Sequence, residues 1–181
     1  MSDIVVLSGS PRVKGNTSAL VAAFKASAES LGHTVKVYDV AANALRGCRA
    51  CNGCYRSEDR PCVQTDGWNP IAHDIRNADG VVFAFPIYFY GMSGQMKVAL
   101  DRMYCFHKLG FDTGEKKASL ISCVADDSDD AFDGVKATFD HTLAMLGWED
   151  VGDVLLGGVE DSGQLYEGDG IKQAEDLANL Y

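Results

Sequence analysis

Short runs of apolar residues recur along the chain, separated by stretches in which apolar residues repeat every three or four positions. Short apolar runs are typical of strands that are buried on both faces. The longer repeats are typical of amphipathic helices that lie against a sheet. The pattern therefore predicts strands that alternate with helices over the whole chain.

The pattern predicts five strands, at residues 4–7, 34–40, 81–85, 118–124 and 151–156. The helices are predicted near residues 16–31, 70–77, 95–106, 132–146 and 171–180. Asn16 or Thr17 is expected to cap the first helix. Gly32 and Gly147 are expected to end helices, because glycine accepts the left-handed conformation found there.

Such alternation favours a parallel α/β sheet with helices on both faces, formed by one domain over residues 1–181. Five strands joined by right-handed crossovers suit the doubly wound order 2-1-3-4-5. In that order a ligand crevice lies at the carboxyl ends of the first and third strands. The loops after these two strands therefore become the candidate binding site.

Composition narrows the set of partners. The 181 residues carry a formal net charge of -10, which repels nucleic acid and anionic membranes. No basic segment followed by a long apolar run stands at the N-terminus, and no apolar stretch is long enough to span a bilayer. We expect a cytoplasmic protein that binds neither nucleic acid nor membrane.

The loop from Ser8 to Thr17 is rich in glycine and serine and opens the first helix. Glycine lets a backbone approach a ligand closely, and a helix N-terminus attracts anions. The loop matches neither the nucleotide-triphosphatase pattern nor the dinucleotide fingerprint, since Pro11 replaces the second glycine of the latter. It is either a phosphate cradle for a mononucleotide or an ordinary strand–helix turn.

A second loop, from Pro86 to Gly91, follows the third strand and contains three aromatic residues. Exposed aromatic side chains are costly unless they cover something flat and apolar. The loop therefore either covers a planar ligand or fills the core or a subunit interface.

Together the two loops resemble a known family. SGSPRxxGNT after the first strand, PxYxxxxSGQMK after the third, and Asp101-Arg102 beyond them closely resemble the NAD(P)H-dependent FMN reductase and multimeric flavodoxin family. The C-terminal stretch from Gly168 to Ile171 is similar to that family as well.

The resemblance implies a flavodoxin-like three-layer sandwich with non-covalently bound FMN, in a homodimer or homotetramer. It places the phosphate at Ser8, Ser10, Arg12, Asn16, Thr17 and Ser18. It places the isoalloxazine ring beside Pro86, Ile87, Tyr88, Phe89, Tyr90 and Gly91. The loop from Cys123 to Asp127 would complete the flavin site.

Residues 41–69 have no clear period and are interpreted as an inserted functional loop. They contain four closely spaced cysteines, Cys48, Cys51, Cys54 and Cys62. Three interpretations stay open: a [4Fe–4S] cluster, a structural zinc ion, or a loop without metal. The spacing is similar to the compact motif of iron–sulfur flavoproteins, a branch of the same family. The two other cysteines are expected to be buried.

These observations predict an FMN-dependent oxidoreductase that passes electrons from NAD(P)H to a small acceptor such as a flavin or a quinone. The cofactor carries the chemistry, so no side chain is named as catalytic. One alternative is an iron–sulfur flavoprotein that carries electrons between a ferredoxin-like donor and FMN. Another is a non-enzymatic flavin-binding redox module.

Overall fold

The computed structural model describes residues 1–55, 60–108 and 113–181. Strands form where the apolar runs lie, because these residues bury side chains on both faces of the sheet. The strands are β1 (Asp3–Ser8), β2 (Thr34–Asp39), β3 (Gly80–Tyr88), β4 (Gly91–Met92), β5 (Lys117–Cys123) and β6 (Glu149–Leu156).

Six α-helices connect or follow the strands in the described residues. They are α1 (Asn16–Ser30), α2 (Trp68–Asn77), α3 (Gly94–Arg102), α4 (Tyr104–Lys108), α5 (Asp133–Leu146) and α6 (Gly170–Leu177). Short 3-10 turns lie at Gly53–Tyr55, Gln164–Tyr166 and Ala178–Leu180. No helix in the described part of the chain is long and apolar enough to cross a membrane.

The main sheet has the order β2-β1-β3-β5-β6, and every neighbouring pair in it is parallel. This confirms the predicted order 2-1-3-4-5 of five parallel strands. The numbers differ only because β4 is an additional two-residue strand, antiparallel to β3 and off the main path. The carboxyl ends of β1 and β3 are adjacent, as the predicted crevice requires.

Helices cover both faces of the sheet, which confirms the three-layer α/β fold. Alternate residues of the same strand enter opposite cores, since side chains alternate along a strand. Val5 and Leu7 of β1 pack with α2, α3 and α5, whereas Ile4 and Val6 pack with α1 and α6.

Gly32 and Gly147 follow the ends of their helices with φ of +90° and +71°, as predicted. The predicted cap of α1 is wrong. The helix already includes Asn16, and its N-cap is Gly15, which has no side-chain oxygen to offer. The hydroxyl of Thr17 instead contacts the sulfur of Cys123.

Three further boundaries differ from the prediction. The helix predicted over residues 95–106 is interrupted after Arg102 and continues as the separate short α4. Residues 86–88 belong to β3, so the predicted aromatic loop is a β-hairpin rather than an irregular loop. The last helix ends at Leu177 and passes into a 3-10 turn.

The predicted loop over residues 41–69 is mostly irregular where the structure describes it. It contains the 3-10 turn at Gly53–Tyr55, and its last two residues already belong to α2. Residues 56–59 of this loop lie outside the described residues. The insertion therefore leaves the sheet after β2 and returns to it through α2.

Candidate functional site

A cleft of about 460 Å³ opens at the carboxyl ends of β1 and β3. It brings together the first loop, the aromatic hairpin and the loops that follow β5 and β6. Most of the residues predicted for the flavin line it: Ser10, Arg12, Asn16, Thr17, Pro86, Ile87, Tyr88, Phe89 and Tyr90. The loop after β1 and the hairpin after β3, which are far apart in sequence, therefore form one surface.

Three other predicted residues do not line this cleft. Ser8 is the buried last residue of β1. Ser18 donates its hydroxyl to the carbonyl of Arg12 at 3.0 Å, so it shapes the loop from behind. Gly91 pairs with Tyr88 across the hairpin. Their positions suit a supporting role, while direct contact with FMN stays a prediction for the other nine.

The first wall of the cleft is the N-terminal end of α1. The amide groups of a first helical turn have no acceptor within the helix, and the N-cap of α1 makes no side-chain hydrogen bond. The buried hydroxyl of Ser10 is hydrogen-bonded to the backbone of Arg12 and fixes the turn. The side chain of Arg12 is exposed at the cleft. This wall is electropositive on a strongly acidic chain.

Ser93 joins the first loop to the segment that follows the hairpin. Its buried hydroxyl donates to the carbonyl of Gly9 at 2.7 Å and accepts from the amide of Met96 at 3.3 Å, which caps α3. A Cβ on Gly9 would lie 2.8 Å from the Cβ of Met96. Glycine at this position therefore lets α3 approach the loop closely.

The second wall is the tip of the hairpin between β3 and β4. Phe89 and Tyr90 form a two-residue turn with φ of +49° and +58°. Tight hairpins favour this turn, but asparagine and glycine usually occupy it. Bulky residues there cost roughly 1–2 kcal/mol each. Strain of this kind is typical of functional loops.

The hairpin tip is exposed and held in place by one polar contact. Phe89 is fully exposed, and Tyr90 is exposed over about half of its surface. The hydroxyl of Tyr90 donates to Asp126 at 2.8 Å. This contact raises the pKa of Tyr90, while amide and tyrosine donors lower that of Asp126. The bond ties the hairpin to the loop after β5.

The third wall combines the loops after β5 and β6. Residues Cys123 to Asp126 line the cleft, in the place that the resemblance gives to that loop. Val159 and Glu160 line it as well, and the sequence analysis missed them. Their loop is held by the amide of Val159, which donates to the carbonyl of Val124 at 2.8 Å. No local motif marks these residues, because only the sheet topology brings them to the cleft.

Thr17 closes the floor of the cleft against β5. Its hydroxyl lies 3.4 Å from the sulfur of Cys123. Burial raises the pKa of the Cys123 thiol, so this cysteine is a neutral packing residue. The expected burial of Cys105 and Cys123 is confirmed.

The four clustered cysteines line a second, smaller cavity at the C-terminal end of α3. Cys48 and Cys51 are exposed, Cys62 is half-buried and Cys54 is buried. Burial raises the pKa of Cys54, and the three other thiols add to the rise. A hydrogen bond from the amide of Gly53 lowers the pKa of Cys51. The four sulfur atoms therefore share one electrostatic environment.

The same cysteines are not drawn together around a single point. Among the described residues, no group of three or more His, Cys, Asp or Glu side chains has the geometry to hold a metal ion. All four cysteines nevertheless line one cavity. Their role as metal ligands stays a prediction.

A buried ion pair lies beneath the cysteine cavity. Arg102 donates two hydrogen bonds to the carboxylate of Asp66, at 2.7 and 3.0 Å, and a third to the carbonyl of Arg46 at 2.7 Å. The side chains are 1% and 7% exposed. Arg102 lowers the pKa of Asp66 to about 2. Burial lowers the pKa of Arg102, but Asp66 and the sulfur of Cys62 outweigh burial and raise it.

Two buried nitrogen atoms beside this pair have no hydrogen-bond partner among the described residues: Nε of Arg102 and Nε1 of Trp68. The guanidinium of Arg102 lies over the indole ring of Trp68, 5.7 Å from its centroid. Buried donors without acceptors are costly and rare in native proteins. Arg102 interacts with the sulfur of Cys62, and Trp68 interacts with the sulfur of Cys105, so both side chains face thiol sulfur.

The α/β/α sandwich, with a cleft at the carboxyl ends of β1 and β3, defines a protein of the flavodoxin-like class. Residues 2–153 match the NADPH-dependent FMN reductase family, so the chain belongs to that family.

Curated relatives refine the comparison. The chain is 33% identical over 120 residues to an iron–sulfur flavoprotein of Methanocaldococcus jannaschii, which covers 66% of this chain and 60% of the relative. It is 29% identical over 119 residues to an iron–sulfur flavoprotein of Methanosarcina thermophila, with 66% and 61% covered. The chain therefore spans about three fifths of the length of these relatives.

Solved structures share the fold. An NAD(P)H:quinone oxidoreductase from Methanothermobacter marburgensis superposes with a TM-score of 0.79 at 17% identity, covering 98% of this chain and 94% of the other. An azoreductase from Bacillus anthracis superposes with a TM-score of 0.70 at 18% identity, covering all of both chains. These likenesses confirm the flavodoxin-like fold.

The ion pair predicts a specific pH dependence of stability. The pKa of Asp66 is lower in the folded than in the unfolded protein, so the pair stabilises the fold above about pH 4. This contribution, about 2 kcal/mol, is lost as the pH falls toward 2. Urea unfolding of Asp66→Asn should show a deficit against wild type that shrinks by this amount between pH 7 and pH 2.

Asp101→Asn serves as the control, because Asp101 is exposed and its ion pair in the described part of the chain is with its helical neighbour Lys97. Its free energy of unfolding should stay within about 0.5 kcal/mol of wild type at both pH values. An Asp66→Asn deficit that is equal at the two pH values would contradict the role given to the ion pair.

Proposed function

We propose that this chain is an FMN-dependent oxidoreductase that takes electrons from NAD(P)H and passes them to a small acceptor. One observation carries the proposal: a single cleft joins the uncapped N-terminus of α1 to an exposed, strained pair of aromatic residues. The first feature suits a phosphate, and the second suits a flat ring. FMN contains both groups in one molecule.

The residues of the cleft fit FMN in charge and size. A phosphate ester must bind to a chain whose formal net charge is -10, so it needs local cations and amide donors. Arg12 and the first turn of α1 supply them at one end. The volume of about 460 Å³ lies within the range of cofactor pockets.

The protein's own residues would bind and orient FMN and shield its ring from water. Arg12, Ser10 and Thr17 would hold the phosphate, while Tyr88, Phe89 and Tyr90 would cover the ring. When bound, FMN supplies the redox chemistry, accepting a hydride from NAD(P)H and passing electrons on. The titratable groups at the hairpin, Tyr90 and Asp126, are bonded to each other and hold the wall in position.

The class of acceptor is proposed from the structural neighbours. These neighbours include an NAD(P)H:quinone oxidoreductase and an azoreductase. The exposed face of Phe89 leaves room for such a molecule to stack beside the cofactor. A free flavin or a quinone is therefore the acceptor class that we propose.

Anaerobic mixing of the FMN-loaded protein with NADH or NADPH tests this proposal. We expect NADH or NADPH to reduce the flavin and abolish its visible absorbance. Addition of a quinone should then reoxidise the flavin and restore the absorbance. Tight FMN binding without reduction by either donor would refute the reductase and favour a non-enzymatic redox module.

Arg12→Ala should weaken FMN binding about 10- to 100-fold, because a hydrogen bond to a charged group contributes roughly 1.5–3 kcal/mol. Fluorescence titration with FMN measures the dissociation constant. Lys14→Ala is the matched control: Lys14 carries the same charge in the same loop but does not line the cleft. Equal losses in the two variants would show that only net charge matters.

The cysteine cavity favours a second function, that of an iron–sulfur flavoprotein. All four cysteines line one cavity, and the curated relatives described above are named iron–sulfur flavoproteins. Arg102 lines this cavity, and its buried Nε–H fits a cluster, whose sulfur atoms accept hydrogen bonds. The cluster would relay single electrons between an external ferredoxin-like donor and FMN.

Metal and acid-labile sulfide analysis of anaerobically purified protein tests this second function. We expect about four iron and four sulfide per chain in the wild type, as in a [4Fe–4S] centre. Cys51→Ser should lose most of both. Cys123→Ala is the control, because Cys123 lies on the flavin side and should leave the iron content unchanged. Zinc without sulfide, or no metal, would refute the cluster.

A further inference from the structure

Arg102 presents an unused hydrogen-bond donor at the cysteine cavity. Its two terminal nitrogens are engaged by Asp66 and by the carbonyl of Arg46. Its Nε is buried and has no partner in the described part of the chain. Arg102 lines the cavity together with the four cysteines. This donor therefore belongs to a side chain that shares a cavity with the four cysteine sulfur atoms.

The ion pair is oriented with respect to the cavity. Arg102 lines the cavity and Asp66 does not, so the positive end of the pair is nearer to the cysteines. The arginine side chain is 1% exposed, and water screens its charge little. The electric field of this cation at the cavity is accordingly stronger than that of a solvent-exposed arginine at the same distance.

The orientation of the guanidinium is fixed on three sides. Asp66 holds its fork in a bidentate contact, the carbonyl of Arg46 anchors one nitrogen, and the indole of Trp68 covers one face. A lysine could not make these contacts, because it has neither a fork nor a planar face. These contacts hold the guanidinium in one orientation, and the sulfur of Cys62 lies within reach of it.

We propose that Arg102 is a positioning residue of the cysteine centre, which donates its Nε–H to a sulfur atom there and raises the reduction potential of the bound cluster. The inference rests on the iron–sulfur centre of the proposed function. A cation and an N–H···S bond both stabilise the reduced, more negative form of a cluster. Asp66 opposes this effect and at the same time keeps the guanidinium in place.

Redox titration of the cluster, followed by electron paramagnetic resonance in the full-length protein, tests the inference through two changes of opposite sign. Arg102→Gln removes the cation and should lower the potential by about 59 mV, a tenfold loss in the one-electron reduction equilibrium. Asp66→Asn removes the opposing anion but keeps an acceptor for Arg102, and should raise the potential. Arg102→Lys keeps the positive charge but loses the Nε–H donor, so its cluster potential should lie between those of wild type and Arg102→Gln.

Two references separate this effect from general damage. Arg60→Gln removes an exposed positive charge from the inserted loop that carries the cysteines, and it should leave the cluster potential unchanged. The flavin potential is read in the same titration and should not move in any of these variants. Both variants of the ion pair lose the buried charge–charge interaction, so a purely structural role would shift the two potentials in one direction or not at all.

Opposite shifts in Arg102→Gln and Asp66→Asn support the inference. Shifts of equal sign, or none, with iron and sulfide retained, would overturn it and leave the cluster itself in place. Wild-type protein without iron and sulfide would overturn the cluster and the inference together. If Arg102→Gln does not accumulate as folded protein, a raised potential in Asp66→Asn supports the inference, and an unchanged or lowered one overturns it.

Discussion

The hydroxyl of Ser93 is the contact on which the cleft depends. It binds the carbonyl of Gly9 on one side and caps α3 on the other. The loop after β1 and the segment after β3 are therefore one unit, although 84 residues separate the bonded groups. The missing side chain at Gly9 permits this approach, since a Cβ there would collide with Met96. The two sequence motifs occur together because neither loop could keep its shape without the other.

Much of the fold follows from local patterns, and the failures have local causes. The five main strands were predictable because each is a short apolar run, and Gly32 and Gly147 end helices by their left-handed backbone. The cap of α1 was predicted wrongly at Asn16 or Thr17, since the polar side chains there serve the cleft rather than the helix. The hairpin was missed because Phe89 and Tyr90 occupy a turn that such residues disfavour.

The remaining site residues could not be read from the sequence, because their partners are remote. Val159 and Glu160 enter the cleft only through the position of β6 beside β5. The pair of Arg102 and Asp66 joins the end of α3 to the inserted segment across 36 positions. The sequence motif contains Arg102 without giving a reason for it. The structure supplies one, because this arginine joins the cysteine segment to the end of α3.

Helix α3 carries the capping contact of one site at its first turn and the ion pair of the other at its last residue. At about 1.5 Å per residue, its nine residues span roughly 14 Å. The length of the helix therefore sets the separation between the two cavities. An insertion or deletion inside α3 would change that distance and rotate the two cavities relative to each other. Changes in loops outside α3 would leave this distance and this rotation unchanged.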